Sequence, residues 1–140
     1  MTMPDILLSD LEPFAIGGTR KCFVHPEDAN RCIKVLRPDR TPEARRAIAS
    51  GWRRYKRLRD FDDQWKERKV YEYLLRVGTQ SWRHVPEYFG CVQTDQGLGI
   101  VTALFRDYDG GFPKNLEQLV PSGISESLEK AIIEFKGWLR

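Results

Sequence analysis

Chemistry in this chain can be built around Lys34. It lies in Arg31-Cys32-Ile33-Lys34-Val35, a short run of apolar and β-branched residues. A polar stretch, Pro26-Glu27-Asp28-Ala29-Asn30, separates that run from an earlier one, Cys22-Phe23-Val24. Paired runs about a polar turn predict a β-hairpin. Alternation places Cys32 and Lys34 on one face and Ile33 and Val35 on the other. A lysine sharing a sheet face with small apolar groups, one hairpin from the pair Gly17-Gly18, can serve as a phosphate-binding ammonium. The glycine pair itself has two readings: a plain hairpin turn, or a turn whose amides form an anion-binding nest. Cys22 and Cys32 by themselves read as small apolar core thiols.

Other candidates are weaker. Cys22, Cys32 and Cys91 are odd in number and lack Cys-x-x-Cys spacing, so reduced thiols of a cytoplasmic protein are expected, with neither a disulfide scaffold nor a zinc site. His25 and His84 have no partner pattern, so neither is assigned a metal or a catalytic role. From Ala44 to Arg59 the chain carries Arg45, Arg46, Arg53, Arg54, Lys56, Arg57 and Arg59. Such a run can touch phosphates, RNA or anionic lipid, and is most often a solvated face. The net charge of +3 and the lack of an aromatic platform motif argue against nucleic acid.

The elements that must position these groups follow from punctuation and period. The 140 residues suit one domain of ordinary size, and 41% hydrophobic content suits a globular core. No run approaches the ~18 apolar residues of a membrane span. Acidic Asp5, Asp10 and Glu12 without a basic leader argue against a signal peptide. An irregular first strand is expected over Ile6 to Ile16. Thr41-Pro42-Glu43 predicts a helix start. A basic helix is expected over 44–59, weakened or split at Gly51, with Trp52 and Tyr55 packed inward. Gln64 to Val77 has the strongest helical period, through Glu67, Val70, Tyr71, Leu74 and Leu75, and Gly78 is placed to end it. Glu72 is about 140° from Glu67 around that helix. Strands are expected over Val85 to Gln93 and Leu98 to Phe105, about a turn at Thr94-Asp95-Gln96-Gly97. A short helix over Asn115 to Val120 and an amphipathic helix from Ser125 to Leu139, striped by Leu128, Ile132, Phe135 and Leu139, complete the chain.

Gly17-Gly18-x-Arg20-Lys21-Cys22-Phe23-x-His25-Pro26-Glu27-Asp28-x-x-Arg31-Cys32-Ile33-Lys34 resembles the opening of the PhoP regulatory network protein YrbL family. The resemblance continues through Glu67 to Leu74, Pro86-x-Tyr88-x-Gly90-x-Val92-x-Thr94-Asp95-x-Gly97-x-Gly99 and Arg106-Asp107-x-Asp109-Gly110, covering most of the chain. That family is distantly similar to the protein-kinase fold. The resemblance therefore implies an α+β, protein-kinase-like N-terminal lobe of about five antiparallel strands plus a packed helix. Residues 1–112 would form that lobe, with 38–63 a basic helical insertion and 113–140 the start of a helical second lobe. It implies that Glu67 pairs with Lys34, holding the ammonium charged toward phosphate oxygens. It places Cys22 and Cys32 against an adenine, and Arg106, Asp107 and Tyr108 at a hinge whose backbone bonds the base. ATP with Mg²⁺ is the cofactor so implied.

The resemblance also implies what to expect of activity. In kinase-like folds the aspartates and asparagine of phosphoryl transfer follow this last helix. A regulatory protein that binds nucleotide, with no kinase activity from this chain alone, is the expectation. The alternative is a non-catalytic interaction module using the basic helix 44–59, or helix 125–139 against a protein partner or a second copy.

Overall fold

The computed structural model describes residues 4–78 and 82–140. They form two compact units, one within residues 4–78 and 87–104, the other within 82–86 and 105–140. The protein is α+β, with five antiparallel strands in one sheet and four α-helices among the described residues.

The first unit holds the sheet. Its strands are β1 (Ala15–Ile16), β2 (Arg20–His25), β3 (Asp28–Leu36), β4 (Tyr88–Thr94) and β5 (Gly97–Ala103), in the order β1-β2-β3-β5-β4. The expected hairpin is β2–β3, with Cys22 opposite Lys34 and Val24 opposite Cys32. Directly opposed residues share a face, so Arg20, Cys22, Cys32 and Lys34 stand together. On β5, Thr102 opposes Cys32 and Ile100 opposes Lys34, extending that face.

The opposite face makes the apolar core. Phe23, Ile33, Val35 and Val101 are buried there with Ile6 and Leu8. Burying side chains of this size stabilises by about 1.5–3 kcal/mol each. Gly99 lies at a close approach: a Cβ there would come within 2.5 Å of Ile33 Cγ2. Gly99→Ala is expected to cost about 1–2 kcal/mol through overpacking, read as a lower urea midpoint.

Ile6 and Leu8 reach the core by a route the sequence did not announce. The expected strand over Ile6 to Ile16 is only Ala15–Ile16; the segment before it is tied to β4 instead. Ile6 forms a parallel bridge to Thr94. Asp95 fixes the next turn: its carboxylate accepts the Leu8 N–H at 2.6 Å, the Ser9 N–H at 3.1 Å and the Ser9 hydroxyl. These bonds, the Leu8 amide first, hold the Asp95 carboxyl below its ordinary value of 3.8. A carboxylate with a depressed pKa contributes stability above its unfolded value and loses it as pH falls through the folded value. Unfolding midpoints should therefore fall as pH drops below about 4, with a shallower slope in Asp95→Asn.

Helix α1 (Pro42–Ile48) starts as its residues predict, Thr41 accepting the Ala44 N–H at 3.2 Å. Of the two expectations for the basic segment 44–59, a weakened or a split helix, the split one is found. After Ile48 the chain forms two separate 3-10 turns, Gly51–Tyr55 and Leu58–Phe61, and Gly51 has φ +63°. Trp52 and Tyr55 do not pack inward; they are 70% and 88% exposed. A stretch this rich in arginine and broken by a glycine cannot present one continuous apolar stripe, so its aromatics stay outside.

Helix α2 (Asp63–Val77) is the long helix of this unit. Asp62 caps it by accepting the Trp65 N–H at 3.1 Å, and Gly78, at φ +75°, ends it. Its inner face differs from the expected stripe. Tyr71 and Gln64 are buried, whereas Val70 and Leu75 are exposed. Strand β4 begins at Tyr88, later than expected.

In the second unit, α3 (Leu116–Leu119) opens on a capping box between Asn115 and Gln118, and α4 (Glu126–Trp138) on Ser125, which accepts the Leu128 N–H. His84 lies against Phe135 and Trp138, at 5.5 and 5.2 Å between ring centres, and Arg83 pairs with Glu134 at 2.8 Å. No helix among the described residues is long and apolar enough to cross a membrane.

Candidate functional site

Sheet alternation turns Lys34 off the apolar core, and α2 brings Glu67 to the same face. Lys34 Nζ donates to Glu67 Oε1 at 3.1 Å. Glu72, on another face of α2, is exposed and bonds Lys69 instead. A second cation joins the pair. Arg20, two residues before Cys22 and on the same side of β2, forms an ion pair with Glu67 Oε2. The three side chains are 26% (Arg20), 21% (Lys34) and 18% (Glu67) exposed. One carboxylate thus bridges two half-buried cations, and the cluster carries one net positive charge.

Gln64 sets the position of this cluster. It lies one helical turn before Glu67 on α2 and is buried. Its amide nitrogen donates to Lys34 O at 2.8 Å and to Leu98 O at 3.0 Å. Its amide oxygen accepts from Arg20 at 3.5 Å. One side chain therefore ties α2 to β3, to β5 and to the second cation.

The electrostatics favour an anion. Burial pushes the Lys34 ammonium below the ordinary lysine range, and the neighbouring Arg20 guanidinium pushes it further. Burial raises the Cys22 thiol above its ordinary value, and Cys32 adds to the rise. Cys22 is half-buried beside Lys34, while Cys32 is buried with its sulfur 3.2 Å from Thr102 Oγ1. Both thiols share the Lys34 face.

The glycine pair forms a turn. Gly17 donates its N–H to Arg20 O at 2.8 Å, and neither glycine has positive φ. The Gly17 amide is therefore spent within the turn. Arg37 clamps it from outside, donating to Gly17 O at 3.1 Å and to Gly18 O at 3.4 Å while paired with Asp39 at 2.9 Å.

Arg106, Asp107 and Tyr108 lie in the second unit. There the Gly110 N–H donates to Asp107 O, and Asp107 N–H donates to Gly111 O, both at 2.9 Å, closing a small loop. Arg106 donates to Gly110 O at 3.0 Å and lies over the Phe112 ring, and Tyr108 is fully exposed. Among the described residues, no three His, Cys, Asp or Glu side chains are gathered to hold a metal ion.

Sequence reasoning missed Arg20, Gln64 and Arg37. Arg20 had a signal: it is an even-numbered residue on the strand that carries Cys22, so it shares the face of Lys34. Gln64 had none, since a glutamine at the start of a helical run reads as solvent-facing.

A family described as PhoP regulatory network protein YrbL matches residues 6–140. The chain is 36% identical over 105 residues to "Uncharacterized protein YrbL" of Escherichia coli (strain K12). It is equally similar to the protein of that name from Shigella flexneri. The aligned region is 75% of this chain and 41% of each relative, so the match covers about two fifths of the length of those curated proteins. No solved structure matches the chain.

Proposed function

The chain belongs to the PhoP regulatory network protein YrbL family, and from that premise we propose that its sheet and α2 form a protein-kinase-like lobe that binds a nucleotide. The observation that carries the proposal is the Arg20–Glu67–Lys34 cluster, with two cations to one carboxylate on a half-buried sheet face. Such a site gains from a phosphate oxygen, because the added anion neutralises the excess charge where burial makes that charge costly. In this reading Lys34 and Arg20 take the phosphates of ATP, and Glu67 holds both cations in place. The turn at Gly17 and Gly18 is proposed to cover the phosphates, and Cys22 and Cys32 to form the wall beside the base.

The site's residues fit phosphate better than they fit a metal ion. Glu67 is already bridged by two cations, so Mg²⁺ would have to arrive on the nucleotide. The reading assigns nucleotide binding, in the service of regulation, to these residues. No residue of this chain is assigned the chemistry of phosphoryl transfer.

Titration with a fluorescent ATP analogue tests the reading. Binding should weaken at least tenfold in Lys34→Ala and several-fold in Arg20→Ala, with competition by unlabelled ATP. Superimposable curves for wild type and Lys34→Ala would overturn it.

A second reading, a non-catalytic interaction module, is favoured by one observation. Ile48, Trp52 and Tyr55 are exposed within the arginine-rich stretch, and exposed aromatics among arginines are typical of interface anchors. The stripe of helix 125–139 is the other surface proposed for a protein partner or a second copy.

A further inference from the structure

Where β3 ends, the chain leaves the sheet beside the first turns of α2 and the β4–β5 turn. A cavity of about 430 Å³ opens there, with a mostly apolar wall that includes Leu36, Pro38, Trp65 and Leu98. Arg68 and Gln96 also line it. Arg68 Nε and Gln96 Oε1 are both buried, and neither has a hydrogen-bond partner. One is a donor and the other an acceptor, and buried polar groups left in that state are uncommon and costly. A cation stands beside the cavity: the Arg59 guanidinium lies over the Trp65 ring at 5.1 Å from its centre, while Lys69, 5.8 Å from the same ring, is paired with Glu72 at 3.0 Å. The acid in the wall, Asp62, already accepts the Trp65 N–H as the α2 cap.

We propose that this cavity docks a peptide segment of a partner protein, a bulky apolar residue with an acidic neighbour. A peptide group carries a carbonyl and an N–H together, and so matches the unpartnered donor on Arg68 and the unpartnered acceptor on Gln96. The cavity volume and its apolar wall suit one large aliphatic or aromatic side chain. Arg59 beside the cavity and Arg68 within it favour an acidic neighbour to that anchor, which sets the charge of the partner. Gln64 lines this cavity as well as positioning the Arg20–Glu67–Lys34 cluster, but the docking proposal does not depend on nucleotide binding and stands if that proposal fails.

Selection from a random peptide library displayed on phage, against the full chain, is the test. Recovered peptides should share a large apolar residue with neighbouring Asp or Glu. A synthetic peptide of the recovered sequence, followed by fluorescence anisotropy, should bind at least tenfold more weakly to the double variant Arg68→Met, Gln96→Leu. The thermal midpoint of that variant should hold or rise, because two orphaned polar atoms have been removed. Should the midpoint fall, the single variant Gln96→Ala carries the comparison. The proposal is overturned if no apolar–acidic pattern is recovered, or if recovered peptides bind wild type and variants alike. Acidic peptides without an apolar anchor, bound through charge alone and indifferent to both substitutions, would also overturn it.

Discussion

Replacing Glu67 by alanine is expected to destabilise the protein by about 2–4 kcal/mol, because it leaves two half-buried cations facing one another without their carboxylate. The loss sits somewhat below the range for a fully buried pair, since all three side chains keep some contact with water. Each single cation substitution should cost less. Arg20→Ala leaves Glu67 bonded to Lys34, and Lys34→Ala leaves it bonded to Arg20. The order of effects is therefore diagnostic: Glu67 first, either cation well behind. Removing Lys34 in the Glu67→Ala background should recover part of the loss, because one stranded charge disappears. Urea unfolding of the four variants measures this directly. Equal losses for Glu67→Ala and Lys34→Ala would show that the two contribute as a simple pair and that Arg20 does not matter.

Gln64→Ala is expected to cost about 2–3 kcal/mol, from lost packing and from two strand carbonyls deprived of a buried donor. Its amide reaches Lys34 O and Leu98 O, on adjacent strands. Gln64→Leu separates the two contributions. It restores apolar volume but not the donors, so it should remain destabilising by about 1–2 kcal/mol. Because Gln64 also accepts from Arg20, both variants should weaken phosphate-dependent stabilisation as well as the fold. A Gln64→Leu protein as stable as wild type would mean that those carbonyls find other donors at little cost.

The parts of this architecture legible in the sequence are those with a local cause. The β2–β3 hairpin follows from two apolar runs about a polar turn. The shared face of Cys32 and Lys34 follows from a period of two. Helix α2 and its end follow from apolar spacing and from Gly78, which adopts the left-handed conformation that glycine tolerates. What escaped has causes far away in sequence. Ile6 and Leu8 reach the core because a carboxylate 87 residues distant holds the Leu8 amide. Gln64 is buried because carbonyls of two neighbouring strands need a donor there. Trp52 and Tyr55 read as core by composition, but Gly51 breaks the helix that would have carried them inward. Of the candidate site, Lys34 was legible from strand pattern and Glu67 from family resemblance. Arg20 was legible only if the alternation applied to β3 is carried over to β2.

The central claim is that the Arg20–Glu67–Lys34 cluster takes the phosphates of a nucleotide. The most direct measurement is thermal unfolding with and without millimolar ATP and magnesium, on wild type and on Lys34→Ala. A ligand at a hundred times its Kd stabilises by about 2.7 kcal/mol, a shift of several degrees in a protein of this size. The account predicts such a shift in the wild type and its loss in Lys34→Ala. No shift in the wild type, or an equal shift in both proteins, would contradict it.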